Sequence, residues 1–131
     1  MSLVIRTLIL FASLLFAGCS EDNSTKLLSM AALLASPEKF DGGRVSVVGY
    51  LGRGADLYLT KDHAKIDDRS SSLILDLDTK ERNLLVNSSC HEKYVEVVGI
   101  FGLISVQSIA PRLGLGSIES ILVKKDRTPC S

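Results

Sequence analysis

Apolar side chains alternate with polar ones along five stretches of the chain and follow a helical spacing along one. That pattern predicts a mainly β domain with a short leading helix. The helix is expected after Ser29, a good N-cap, because Met30, Leu33 and Leu34 share one face of Met-Ala-Ala-Leu-Leu-Ala. Pro37 ends the pattern, since a proline disfavours helix at the residue before it, and Asp41-Gly42-Gly43 then supplies turn chemistry.

Strands are expected at Arg44 to Leu51, where Val45 and Val47 alternate before Gly49, and at Leu57 to Thr60, with Tyr58 on the face opposite Leu57 and Leu59. A third is expected at Ser72 to Asp78, with Leu73, Leu75 and Leu77 inward and Asp76 and Asp78 outward. Tyr94 to Phe101 and Ile118 to Val123 complete the five, Glu96 pointing outward between Val95 and Val97. Thr79 to Ser89 is polar around Leu84 and Leu85 and is a candidate for a second short helix. Lys61 to Arg69, Gly52-Arg53-Gly54 and Gly114-Leu115-Gly116-Ser117 read as loops.

Val-Ser-Val-Val-Gly-Tyr-Leu-Gly at 45–52 matches Val-Glu-Val-Val-Gly-Ile-Phe-Gly at 95–102. A match repeated once is too little for a solenoid. It fits two strands under one geometric constraint, each bent at a glycine as a sheet curls into a barrel. Five strands with a linker between the third and fourth resemble the OB-fold, a small five-stranded Greek-key barrel. The opening Ser29 to Leu51, with its short helix, Pro-Glu-Lys-Phe-Asp-Gly turn and Val-Ser-Val-Val-Gly-Tyr-Leu strand, is similar to bacterial exported domains of the tRNA-anticodon-binding type. Those motifs are geometric, so they specify fold better than function.

Met1 to Gly18 is one apolar stretch interrupted once, by Arg6. Its uninterrupted part, Thr7 to Gly18, is too short for the roughly 20 residues of a bilayer-spanning helix and suits a signal-peptide core. Leu14-Leu15-Phe16-Ala17-Gly18-Cys19 resembles the lipobox of bacterial lipoproteins, although Phe16 stands where leucine is usual. The resemblance implies cleavage after Gly18, diacylglycerol on the Cys19 sulfur and a further acyl group on the new amino terminus. Two acyl chains already make a stable membrane anchor. Ser20 favours the outer membrane by resemblance to the enterobacterial sorting rule. The expected organisation is therefore a signal peptide at 1–18, a lipidated cysteine and polar tether at 19–25, and an OB-like barrel domain at 26–131 facing the periplasm.

With Cys19 assigned to lipid, Cys90 and Cys130 form an even pair in an oxidising compartment, and a structural disulfide is expected. The OB-like topology supports it. Cys90 precedes the fourth strand and Cys130 follows the fifth, its antiparallel neighbour, so both fall at one end of that pair.

Charge narrows the function. Leaving out 1–18, whose one cation is Arg6, the chain carries 14 basic and 15 acidic residues, a net charge of −1. That is not the balance of a phosphate-backbone binder, tryptophan is absent, and nucleic acid is not an expected partner. Asp62, His63, Asp67 and Asp68 offer metal-ligand atoms, but without EF-hand spacing, and read as a solvated loop. His91 beside Cys90 would need a free thiol to act as a nucleophile's base, and the disulfide consumes that thiol. The glycine segments lack the third glycine of a dinucleotide fingerprint and the lysine of a P-loop. No cofactor, metal or catalytic constellation is expected.

An OB-fold usually binds through the faces of its second and third strands and the loops flanking them. Here that surface offers Arg53 and Asp56 in the first loop, Tyr58 facing outward and Arg112 in the second loop. Arg53, Tyr58 and Arg112 are expected to form an exposed contact surface whose substitution spares stability. The reading is a lipid-anchored, non-catalytic domain engaging a cell-envelope protein. The alternatives are an inhibitor or immunity-type lipoprotein acting on a hydrolase or toxin, and a glycan- or peptidoglycan-binding OB domain.

Overall fold

The computed structural model describes residues 25–106 and 109–130. The expected signal peptide at 1–18, the expected lipidation site Cys19 and the expected tether up to Ser24 lie outside the described residues. In chain order the elements are β1 (Lys26–Ser29), α1 (Met30–Ala35), α2 (Pro37–Phe40), β2 (Arg44–Leu51), β3 (Leu57–Tyr58), α3 (Lys61–Lys65), β4 (Ser72–Leu75), α4 (Thr79–Val86), β5 (Tyr94–Val106) and β6 (Ile109–Val123). Single 3-10 turns at Arg53–Ala55 and Arg69–Ser71 link them.

The fold is mainly β and barrel-like. Strands run in the order β1-β2-β3-β4-β6-β5, and β2 also pairs with β5, which closes β2 to β6 into a ring. With β4 and β6 parallel and the other barrel pairs antiparallel, this is the strand order of the five-stranded OB barrel. The matching valine-rich segments are neighbours in that ring. They run antiparallel with Val47 opposite Val97, so that Gly49 faces Val95 and Gly99 faces Val45. One two-fold relationship thus explains why the two strands read alike.

Both glycines lie at close approaches, a Cβ on Gly99 standing 2.8 Å from the Gly116 carbonyl oxygen. The register of β5 against β6 shifts between Val98 and Ile100, so Gly99 sits at an irregularity, as a bent barrel strand requires. Gly49 lets the helix and β3 come close. A Cβ there would stand 2.6 Å from Leu57 Cγ and 2.8 Å from Met30 Cε. The space it vacates lets α1 dock, and Met30 and Leu33 join Val45, Val47, Leu51, Leu57, Leu73, Leu75, Phe101 and Leu115 in one core.

The helix begins where the sequence places it. The Ser29 hydroxyl accepts from the Ala32 amide at 3.1 Å, and Pro37 opens a separate turn of helix at a position where its missing N–H costs nothing. Thr79–Val86 forms the second helix, entered through a capping box in which Asp78 and Glu81 satisfy each other's backbone amides. Asp78 is therefore a cap, not an outward strand residue, and β4 stops at Leu75.

Three further departures share a cause: tertiary contact outweighs local pattern. Lys26–Ser29, too short to show a period, forms a sixth strand parallel to β2, on the edge that the two-residue β3 leaves uncovered. Lys61–Lys65, read as loop, is a helical turn because the Thr60 hydroxyl accepts from the His63 amide. Gly114-Leu115-Gly116-Ser117, also read as loop, lies inside β6. A Cβ on Gly114 would stand 2.3 Å from the Ile74 carbonyl oxygen, so the glycine marks the close β4–β6 approach rather than a turn.

Cys90 and Cys130 form a disulfide with Cα atoms 5.7 Å apart. The return of the chain is also fixed by backbone pairing, the Cys130 amide donating to the Ile121 carbonyl at 2.9 Å. Beside it, the Arg127 guanidinium donates to Glu96 at 2.6 Å and the Ser46 hydroxyl donates to the same carboxylate at 2.8 Å.

Candidate functional site

A groove of about 1260 Å³ opens on the β3–β4 side of the barrel, bounded by the β2–β3 loop, α3, α4 and the β5–β6 ribbon. Arg53, Tyr58 and Arg112, singled out from the sequence, all line it. They do not play equal parts. Arg53 is exposed on the 3-10 turn after β2. Tyr58, expected to face outward, is only 3% exposed. Strand alternation does turn it away from the Leu57 side, but α3 and the turn after it cover the ring. It packs where a Cβ on Gly52 would lie 2.7 Å from its Cε2, and its hydroxyl donates to the Asp67 carboxylate. Burial first, and that hydrogen bond second, push the Tyr58 phenol well above its ordinary range.

Arg112 is the second correction. It lies on β6, not in a loop, and its side chain reaches across the sheet. Its guanidinium donates to the Ser72 hydroxyl at 2.7 Å and meets the Asp56 carboxylate at 3.5 Å. Asp56 also faces Arg82 of α4 at 3.8 Å, and Arg82 donates to the Leu75 carbonyl at 2.7 Å and to the Gly54 carbonyl. Two arginines thus share one carboxylate on the groove floor. Burial pushes the Asp56 carboxyl up, opposed by the attraction of Arg112 and Arg82. Because Tyr58 and Arg112 are tied into the structure, their substitution changes stability as well as surface, contrary to the expectation from sequence.

The rim is different. Arg53, Lys61 and Lys65 are exposed, line the groove and, among the described residues, engage no carboxylate. Arg69 is the remaining cation and pairs with Asp67 at 3.6 Å. Against six cations the groove sets four carboxylates, Asp56, Asp67, Asp76 and Glu92. Six cations less four carboxylates leave the groove lining with a net charge of +2. Lys61, Lys65, Arg69 and Arg82 escape sequence reasoning because three of them sit in a polar stretch read as solvated loop, and no local signal links Arg82 to Asp56.

His63 does not build a metal site. Its Nδ1 lies 2.6 Å from the Thr60 hydroxyl, and its Nε2 lies 4.0 Å from Asp68, so the ring is committed to the first turn of α3. Among the described residues no three His, Cys, Asp or Glu side chains are grouped to hold a metal ion. The Cys90 sulfur is bonded to Cys130, so His91 has no thiol beside it to activate. What the groove offers chemically is hydrogen-bond donation and positive charge on a floor locked by its own ion pairs. No protein-family profile, curated protein or solved structure matches the chain.

Proposed function

We propose that this chain is a lipid-anchored, non-catalytic binding domain of the bacterial cell envelope, and that it engages an envelope protein through the groove beside β3 and β4. The observation that carries the reading is the division of labour within that groove. Asp56, Arg82 and Arg112 are spent on one another and on backbone carbonyls, which makes a rigid floor. Among the described residues, Arg53, Lys61 and Lys65 pair with no carboxylate and stand exposed at the rim. The groove also occupies the region where OB barrels commonly bind. A preformed floor with adaptable charged edges suits binding, because little ordering is needed before contact.

The anchor rests on the lipobox-like Phe16-Ala17-Gly18-Cys19, and the Cys90–Cys130 disulfide is in keeping with an oxidising compartment. Cleavage after Gly18 and acylation of Cys19 would leave the barrel on a short polar tether at the periplasmic face, the outer membrane being favoured by Ser20. Labelling growing cells with radioactive palmitate tests this part: the wild-type chain takes up label and Cys19→Ala does not. The binding role is tested by capture from solubilised envelope with the C-terminally tagged chain as bait. One dominant, stoichiometric protein supports the reading. Murein fragments alone would move the role to glycan binding, and an empty bait would reject a protein partner.

A further inference from the structure

We infer that the far end of the β5–β6 ribbon makes a second contact with the membrane, entering the headgroup region of the bilayer that holds the lipid anchor; this rests on the anchor proposed at Cys19. Topology puts the ribbon and the start of the domain at one end of the barrel. β1 runs parallel to β2 with Lys26 level with Val45, and Arg44 donates to the Thr25 hydroxyl. β2 is antiparallel to β5, so Arg44 is level with Ile100. β5 does not stop there. It continues against β6, with Leu103 opposite Leu113, Ile104 opposite Arg112 and Val106 opposite Ile109. The ribbon therefore overshoots the start of β2 by the stretch Phe101 to Val106, about 20 Å of strand.

The tether decides which end meets the bilayer. The chain enters β1 from the ribbon end, and the segment from Cys19 to Thr25 reaches at most about 22 Å when fully extended. Doubled back along β2, itself about 23 Å long, it would be used up before the opposite end reached the bilayer. That end carries the exposed Lys93, Lys124 and Lys125.

The chemistry of the ribbon fits that position. Val97 to Pro111 carries no charged side chain, and the first charge after it, Arg112, is turned to Asp56 and Ser72. Strand alternation puts Leu103 on the same face as Phe101. Phe101 is buried in the core, whereas Leu103 lies past the end of the barrel and is 66% exposed. Ala110 and Pro111, across the ribbon, are exposed as well. The two strands carry their mutual hydrogen bonds with them, and at headgroup depth water satisfies the outer edges. Pro111 offers no N–H to an added strand, which argues against a protein partner on that edge. One leucine and its small neighbours are too little apolar surface to hold a bilayer from solution. Kept within a tether's reach by acyl chains, the contact becomes intramolecular and only has to choose an orientation.

The chain has no tryptophan, so one introduced indole reports its own surroundings. The full chain, purified from bacterial membranes in a neutral maltoside, is reconstituted into phosphatidylethanolamine–phosphatidylglycerol vesicles with and without lipid brominated near the headgroup. Single variants are compared: Leu103→Trp and Ala110→Trp on the ribbon, and Ile66→Trp, 75% exposed at the end of α3. In a chain that floats with the vesicles on a density gradient, the ribbon indoles are expected to emit to the blue of the Ile66→Trp indole. They are also expected to lose intensity in the brominated vesicles, while Ile66→Trp keeps its intensity. Ribbon indoles as wet and unquenched as that control, in a chain that floats, would overturn the ribbon contact and leave the anchor standing. A blue shift without bromine quenching, growing with the protein-to-lipid ratio, would assign the ribbon to a second copy and overturn the inference as well. A chain that does not float would reject the anchor, and the ribbon contact with it.

Discussion

Arg112 on β6 and Asp56 in the loop between β2 and β3 are 56 residues apart in sequence and meet across the groove floor, guanidinium to carboxylate at 3.5 Å. With the Arg112–Ser72 hydrogen bond, this contact fastens the β5–β6 ribbon to β4 and to the loop between β2 and β3. Arg112→Ala leaves Asp56 with only Arg82 and the Ser72 hydroxyl without its donor. It should cost about 2 kcal/mol, whereas Arg53→Ala, at an exposed position, should fall within about 0.5 kcal/mol of wild type. Urea denaturation of the two variants checks the contrast. Equal stabilities would mean that the floor is not structural.

The disulfide closes a loop of 40 residues between the turn before β5 and the segment after β6. Chain entropy alone makes that crosslink worth about 4 kcal/mol. The Cys90→Ala, Cys130→Ala double variant should lose stability on that scale, and reductant should lower the midpoint of the wild type but not of the variant. The experiment is a denaturant titration of both proteins with and without reductant.

Glu96 supplies a pH dependence with a definite sign. Hydrogen bonds from Arg127, first, and from Ser46 hold its carboxyl below the ordinary value of 4.5. A depressed folded-state pKa means that the stabilisation is complete above the unfolded value and is lost as pH falls through the lower folded one. Stability should therefore decline from about pH 4.5 downward. Glu96→Gln should be less stable at neutral pH and should decline less steeply below it. Denaturation midpoints measured from neutral pH into that acid range decide the point; parallel curves for the two proteins would contradict it.

Gly114 and Gly42 make a graded pair. A methyl at Gly114 would overlap the Ile74 carbonyl oxygen, a backbone atom that can move only if β4 and β6 separate. Gly42 has nothing within 4 Å but holds φ at +79° in the turn before β2. Gly114→Ala should cost about 3 kcal/mol from overpacking, and Gly42→Ala about 1 kcal/mol from backbone conformation alone. Thermal unfolding orders the two, and the reverse order would refute the account of β6.

The legible parts of the fold were those written in local periodicity and capping. β2 begins and ends where the alternation of Val45 and Val47 and the apolar run to Leu51 place it, and α1 follows Ser29. The Cys90–Cys130 pairing was also accessible, because strand order alone brings the two ends together. What escaped depends on partners remote in sequence. β1 exists because β3 is short, and the lower half of β6 reads as a loop until the backbone of Ile74 is laid against Gly114. The site divides in the same way. Arg53, Tyr58 and Arg112, grouped from the barrel topology, all line the groove, yet the burial of Tyr58 and the sharing of Asp56 between Arg82 and Arg112 carry no local signature.

The central claim is that the groove rim is the surface this domain presents to an envelope partner. It is tested most directly by envelope capture with wild-type bait and with the Arg53→Glu, Lys61→Glu, Lys65→Glu variant side by side, after matched melting temperatures show both to be folded. The account predicts one stoichiometric protein on the wild-type bait and its loss from the variant. The same protein retained on both baits would contradict it and place the binding surface elsewhere on the barrel.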